Sequence, residues 1–529
     1  MYDGDIMKPH PFYVGDDPNT GLAYVPRYWV CAHANNQHKL AGEIVDDLSQ
    51  TSFARAINLA KGTVSVIDTG AVSYTRLWCV FELYRSLVAA GRDYVYDMAT
   101  ATPWKGIDKV TYPRGEDDVH GATCILDGLG AWQLSSEVKA IHESHFPLGV
   151  IDQGITFDVK EGNASVEADK VNIFKGIGDK DVLLNETVHG RTAAAVLRLA
   201  LEEGGSRKDK YLEAFGKGHV RRLALDLGGS DVDTEDTWKE VIDRLDPETL
   251  EDLSIRSVKL NEIPISSLAK YGKLAKFSLD QDVMKPLPAD LFAGAKLTNI
   301  RLSKTRGIET VPSFKGLPLT HLNLNYMNSL KTLEEDSLAG AALQHFALTE
   351  AKELQSIPAG LFAGLGATLT FIEMSNVKSI TSIPDGLFAG LTSLKQLDFY
   401  GLCALASEPP ENLFAGLTSL KKLTFGGVGE TSGTVTTLPE GLFNGLSSLE
   451  ELNLGRGGFT SLPAGLFTDK GLVKLDKIRI TYCEKLTDLP VTIFDGMDKS
   501  LGCMVDISDC GRKFDEIAEH LTDVRVILV

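Results

Sequence analysis

Three groups of residues have types and spacings that could do chemistry. Cys31, His33 and His38 read C-x-H-x4-H, a soft-metal pattern. Zinc in a structural site needs four ligands, and no second ligand pair follows at finger spacing, so the reading is no metal. The glycine-rich run FKGIGDK, from Phe174 to Lys180, lacks the Gly-Lys-Ser/Thr ending that sets a lysine and a hydroxyl on bound phosphate. Cys79 lies in an apolar helical stretch, which suits a core thiol better than a nucleophile. No Ser, His and Asp set stands out by spacing. The expectation is therefore no cofactor, and what remains is recognition by side chains set out on a surface.

That surface has to be built by the elements around it, and these announce themselves as a repeat. LPEGLFNGLSSLEELNL (Leu438 to Leu454), IPDGLFAGLTSLKQLDF (Ile383 to Phe399) and PENLFAGLTSLKKLTF (Pro410 to Phe425) share the frame LPxxLFxGLxxLxxLxL. Pro358, Pro384, Pro410, Pro439, Pro463 and Pro490 recur every 24 to 29 residues. A weaker form is present at Leu223-Leu225, Leu253-Ile255, Phe277-Leu279, Ile300-Leu302, Leu322-Leu324 and Phe346-Leu348. Each LxL is a short strand with two inward residues and one outward residue between them. A single turn cannot bury its apolar face, so neighbours must stack on it.

The frame resembles the leucine-rich repeat family, in its typical class with a Phe on the convex side. The resemblance runs from about Val220 to the C-terminus and implies a solenoid of about 12 turns. That family usually sets Asn, or sometimes Cys, three residues beyond the strand to bond backbone groups between turns. Here Cys483 and Cys510 hold that place in the last two turns, whereas Leu402, Val428 and Gly457 hold it elsewhere. Irregular turns are therefore expected, with the tail DEIAEHLTDVRVILV forming a helix and a final strand over the last turn.

In such a solenoid the concave sheet carries function. Its outward positions include Arg301, Asn323, Ala347, Glu373, Asp398, Thr424, Asn453 and Arg479, with His321, His345, Tyr326, Tyr400 and Tyr482 adjacent. Aromatic and Arg side chains on a curved sheet suit a protein partner. The candidate partner-binding set is Arg301, His321, Asn323, Tyr326, Glu373, Asp398, Tyr400, Asn453, Arg479 and Tyr482. A solvated sheet face with no particular ligand is the plain alternative.

Composition bounds the partner. Lys and Arg number 53 against 72 Asp and Glu, a formal charge of −19 over 529 residues. Nucleic acid and anionic membranes attract clustered basic side chains, so neither is expected as the main partner. No apolar run approaches the roughly 20 residues of a membrane span. Hydrophobic residues at 43% are ample for a core. Seven cysteines, an odd and sparse set with no framework spacing, point to a reducing compartment, and the expected location is cytoplasmic.

Residues 1–215 lack the repeat and read as a separate domain, followed by the repeat domain over 216–529. Tyr28 to Ala32, Gly62 to Asp68 and Asp93 to Ala99 read as strands. Ser52 to Ala60, with Ser52 as N-cap, and Ser73 to Gly91 read as helices. Strand, helix, strand, helix, strand suggests a parallel sheet. Residues 100–215 read as mixed helices and strands, with the chain junction in GGSRKDKYLEAFGKG, from Gly204 to Gly218.

The stretch AINLAKGTVSVIDTGAVSYTRLWCVFEL is similar to the middle of Toll/interleukin-1 receptor-like (TIR) domains, with Trp78-Cys79-Val80-Phe81-Glu82 as the WCxxE motif. The implied fold is flavodoxin-like α/β. In enzymatic members the Glu acts on nicotinamide dinucleotides, so Glu82 is the implied catalytic residue of an NAD-cleaving alternative. The stretch before Tyr28 is Pro- and Gly-rich and shows no strand-helix pair, so the domain reads as incomplete there. Pairing of Glu82 with Arg85 or Arg76 along one helix is the competing role. The favoured reading is a non-enzymatic, signalling-related recognition or scaffold protein.

Overall fold

A computed structural model describes residues 48–60, 62–68, 70–89, 94–103, 119–124, 146–164, 166–281, 285–305, 307–428, 435–468, 471–495, 503–510, 517 and 525–527. The expected strand at Tyr28, the Cys31–His33–His38 set and most of the C-terminal helix lie outside the described residues.

The N-terminal part builds a three-stranded sheet from β1 (Gly62–Val66), β2 (Val95–Pro103) and β3 (Val119–Cys124). β1 and β2 pair in parallel, as alternation with helices demands. β3 runs antiparallel to β2, so the sheet is mixed and the purely parallel expectation is corrected. A parallel return needs a crossover of a dozen or more residues, usually a helix.

Helix α1 (Ser52–Leu59) starts at the residue expected to cap it: Thr51 is the N-cap, and its hydroxyl donates back to the Leu48 carbonyl at 2.8 Å. Past β1 comes a 3₁₀ turn (Val72–Thr75), then α2 (Leu77–Tyr84), which buries Leu77, Val80, Phe81, Leu83 and Tyr84, and a π turn (Arg85–Ala89).

Residues 148–217 are helical throughout their larger elements: α3 (Leu148–Gly154), α4 (Glu167–Ile177), α5 (Asp181–Ala195), α6 (Leu197–Glu203) and α7 (Gly205–Lys217). The segment read as a junction is thus α7 itself, an amphipathic helix burying Tyr211, Leu212 and Phe215. Composition rich in Lys and Gly hid that stripe. α5 meets the end of α7 at a point where only glycines fit. A Cβ on Gly190 would lie 2.1 Å from the Gly218 Cα. Next to it His219 reaches Glu186 of α5 at 3.4 Å and Asp246 of the first repeat at 3.3 Å. Arg198 of α6 donates to the Asp226 carbonyl at 3.2 Å, so the helices close the N-terminal end of the solenoid.

From there thirteen strands form one continuous parallel sheet. They are β4 (Arg222–Asp226), β5 (Asp252–Ser257), β6 (Lys276–Gln281), β7 (Asn299–Ser303), β8 (His321–Asn325), β9 (His345–Thr349), β10 (Phe371–Ser375), β11 (Gln396–Tyr400), β12 (Lys422–Gly426), β13 (Glu451–Asn453), β14 (Lys477–Arg479), β15 (Met504–Asp506) and β16 (Arg525–Ile527). Every weak LxL of the sequence is a strand here. Asp233, 1% exposed, ties the first two turns together. It accepts from the Trp238 indole at 2.8 Å and from the backbone N–H groups of Val258 and Lys259.

Opposite the sheet, the Phe of each LF forms a second spine. Phe362, Phe388, Phe414, Phe443, Phe467 and Phe494 stack in sequence with centroids 5.4 to 6.2 Å apart. Burying each such ring is worth roughly 1.5–3 kcal/mol, with about 0.5–1.5 kcal/mol more for a favourable ring pair.

The inter-turn bonds that Asn would supply are made by main chain instead. The backbone turns left-handed one residue past β7 to β10, at Lys304 (φ 55°), Tyr326 (φ 55°), Glu350 (φ 55°) and Asn376 (φ 56°), and three residues past β13 to β15, at Arg456 (φ 60°), Tyr482 (φ 56°) and Asp509 (φ 55°). The N–H of most of these donates to the carbonyl of the next turn, as Glu350 does to Ser375 at 2.9 Å and Asn376 to Tyr400 at 2.9 Å. The Cys483 thiol donates to the Leu454 carbonyl at 3.6 Å and the Cys510 thiol to the Ile480 carbonyl at 3.1 Å, the bonds expected of that position.

Candidate functional site

The parallel register sets the outward side chains in columns. Along the strand centres Arg301 stands beside Asn323, Glu373 beside Asp398, and Asn453 beside Arg479. Arg301 is exposed and the others are half-buried. Ala347 departs from the expectation of an outward contact: it is 3% exposed. Tyr400 ends its strand opposite Ser375, with its ring over Gly426, where an added Cβ would meet it at 3.0 Å. Tyr326 and Tyr482 sit at the left-handed exits and are 49% and 54% exposed.

The column at the strand starts holds features that the candidate set passed over. His321, His345 and Phe371 occupy one register line. The two imidazoles stack with centroids 5.8 Å apart, and His345 lies on Phe371 at 4.3 Å with planes 1° apart. Burial pushes the His345 pKa down, and the neighbouring His321 pushes it further. His321 is lowered by burial and by Lys276. Both effects favour neutral rings at neutral pH, so the three form an uncharged ridge on the sheet. Phe371 could have been found from sequence, because it precedes its inward residue in the same frame that located His321 and His345.

From the next strand onward, across β11 to β14, a cavity of about 240 Å³ opens between Gln396, Asp398, Lys422, Glu451, Asn453, Lys477 and Arg479. Gln396 donates to Asp398 at 2.7 Å, and Lys422 pairs with Glu451 at 3.1 Å. Among the described residues no ion pair or side-chain hydrogen bond reaches Lys477 or Arg479. The cavity therefore offers two cations to a ligand. Beyond it the Arg456 guanidinium lies over the Tyr482 ring at 5.5 Å.

Glu82 lies half-buried on α2, far along the chain from these columns. Its charge is felt by Cys79 and by the buried Tyr96. Burial, then Glu82, raises the Cys79 pKa, which fits a core thiol and not an activated one. Arg85 donates to Asn58 at 2.9 Å, and the Trp78 indole donates to Asp169 at 3.1 Å. The Trp of the motif thus anchors α4 against α2.

A family model described as a BspA-type leucine-rich repeat region matches residues 285–406 and 355–499, in six copies. Over those residues the solenoid is a leucine-rich repeat array. The description differs in subclass from the typical, Phe-bearing class that the frame resembled, and the match does not extend to α1, α2 or Glu82. No curated protein matches the chain.

Solved structures similar to the chain include the Drosophila Toll–Spatzle complex, at TM-score 0.32 and 17% identity over 59% of this chain and 44% of that one. The TLR13–ssRNA13 complex aligns at TM-score 0.37 and 16% identity, over 65% and 59%. The pneumococcal vaccine antigen PcpA aligns at 0.23 and 15%, over 53% and 66%. The chain spans less than two thirds of each, and likenesses at this level assign no role to any of its residues.

Proposed function

We propose that this chain recognises a protein partner on the concave face of the repeats. The observation that carries the reading is one continuous sheet that presents an uncharged ring ridge and, four strands away, two unpaired cations. Aromatic and Arg side chains are the usual anchors of protein interfaces. A fitting partner sets an apolar side chain on His345 and Phe371 and a carboxylate at Lys477 and Arg479. Arg301, Asn323, Glu373, Asp398 and Asn453 line the path between and outside these anchors. The proposed setting is intracellular, supported by the odd, sparse cysteine count, and signalling-related, supported by the resemblance around Trp78 and Glu82.

Co-purification from the source cells tests this. The same partner band should be lost with His345→Ala/Phe371→Ala and with Lys477→Glu/Arg479→Glu. Undiminished recovery with both pairs would reject the concave face.

A second reading keeps the motif as an enzyme: NAD cleavage at Glu82, with the repeats as sensor. Its support is the half-buried Glu82, whose charge is felt by the buried Tyr96 of β2. Incubation of purified protein with NAD, beside Glu82→Ala, separates the two readings. Turnover abolished by that substitution would favour the enzyme.

A further inference from the structure

Two cysteines occupy equivalent places on neighbouring turns. β14 and β15 pair with Ile478 opposite Val505 and Arg479 opposite Asp506. The same offset brings Cys483 opposite Cys510, and the ladder reaches that far, because the Tyr482 N–H donates to the Ser508 carbonyl at 3.1 Å. Each cysteine follows a left-handed residue, Tyr482 at φ 56° and Asp509 at φ 55°, so both leave the sheet with the same backbone geometry. Neighbouring strands lie about 4.8 Å apart, inside the Cα window of about 4.4–6.8 Å that a disulfide spans. Both thiols leave the sheet toward the preceding turn, Cys510 at 3.1 Å from the Ile480 carbonyl and Cys483 at 3.6 Å from the Leu454 carbonyl. Cys483 is fully buried, whereas Cys510 is partly exposed.

We propose that Cys483 and Cys510 form an oxidisable dithiol, which a peroxide converts to a disulfide joining the last described turns of the repeat array. This is a modification site independent of the partner-binding reading.

The roles of the two sulfurs follow from their surroundings. The neighbouring Cys483 thiol favours the thiolate of Cys510 and holds its pKa below the usual thiol value. The neighbouring Cys510, with burial, pushes Cys483 up, so it keeps its proton until it attacks. Two other thiols are less disposed to react: burial raises Cys503 to about 11 and raises Cys79. In the first step the Cys510 thiolate attacks one peroxide oxygen and the O–O bond breaks. Cys510 becomes a sulfenic acid, and the departing hydroxide takes up the proton lost by Cys510 to give water. In the second step the Cys483 sulfur attacks the sulfenic sulfur as its proton leaves. The S–O bond breaks, and hydroxide and that proton form a second water. Two thiols lose two electrons and one hydrogen peroxide gains them.

The test is treatment of the full purified chain with stoichiometric hydrogen peroxide, followed by alkylation, non-reducing proteolysis and mass spectrometry. The peptides holding Cys483 and Cys510 should be recovered as one linked species, lighter by two hydrogens and split by a reductant. Cys403 and Cys503 should remain alkylated. The linked species should vanish in Cys510→Ser and in Cys483→Ser, with circular dichroism confirming that each folds. Should either variant fail to fold, the wild-type digest decides alone. Over-oxidation of Cys510 without the link, or a link from Cys510 to any other cysteine, overturns the proposal.

Discussion

The imidazole of His345 lies flat on the ring of Phe371, centroids 4.3 Å apart and planes 1° from parallel. A proton on that imidazole would be held away from water and beside His321. The folded-state pKa of both histidines is therefore lowered. A lowered histidine pKa means that the unfolded chain binds the proton more readily. Stability is unaffected well above the unfolded value of 6.5 and falls as pH drops through it toward the folded value. Thermal unfolding followed from pH 7.5 down to about 5.5 should show Tm falling across this window. His345→Asn with His321→Asn should flatten the slope. Half-buried His189, lowered by burial, retains a share of it. An unchanged slope in the double variant would contradict the lowered values.

The convex spine should carry the cooperativity of the array. Phe414 stacks between Phe388 at 6.2 Å and Phe443 at 6.2 Å and meets the strand residue Phe425 edge-on at 5.2 Å. Phe414→Ala should cost about 3–5 kcal/mol, the range for emptying a buried aromatic site. Because each turn contacts only its neighbours, the loss should split urea unfolding into two transitions. A single transition with an unshifted midpoint would show that the spine is not continuous there.

A close backbone approach predicts an intolerant site. Gly190→Ala sets a methyl 2.1 Å from the Gly218 Cα, with main chain on both sides and nothing flexible to yield. The expected loss is about 1–3 kcal/mol or more, as for other overpacked sites. Limited proteolysis should show new cleavage between α5 and β4, because the helices no longer seat on the first repeat. Unaltered proteolysis and Tm would mean that α5 and α7 can part without cost.

Much of the repeat half was legible because its signal is redundant. The pair of inward residues recurs in every turn, so even Leu223-Leu225, which lacks the LF and Pro landmarks, resolves into a strand. The chemistry of the concave face was legible only in part. Arg301, Asp398 and Arg479 follow from counting along the frame, but the pairing that quiets Lys422 and leaves Lys477 free depends on which neighbour bears Glu451. α7 escaped notice because Lys, Asp and Gly outnumber Tyr211, Leu212 and Phe215, its buried side chains. In the N-terminal sheet, alternation of strands and helices foretold the β1–β2 pairing, whereas the direction of β3 depends on a connection without helical pattern.

The left-handed exits bear on how such a scaffold can change over generations. Where side-chain amides hold successive coils together, those positions are barred from other uses. Here the fastening is done by peptide groups common to all residues, and Lys304, Tyr326, Glu350, Arg456 and Tyr482 show how varied the occupants can be. The rim of the array is consequently open to diversification or to deliberate grafting, one turn at a time, without unpicking the seam that joins the coils.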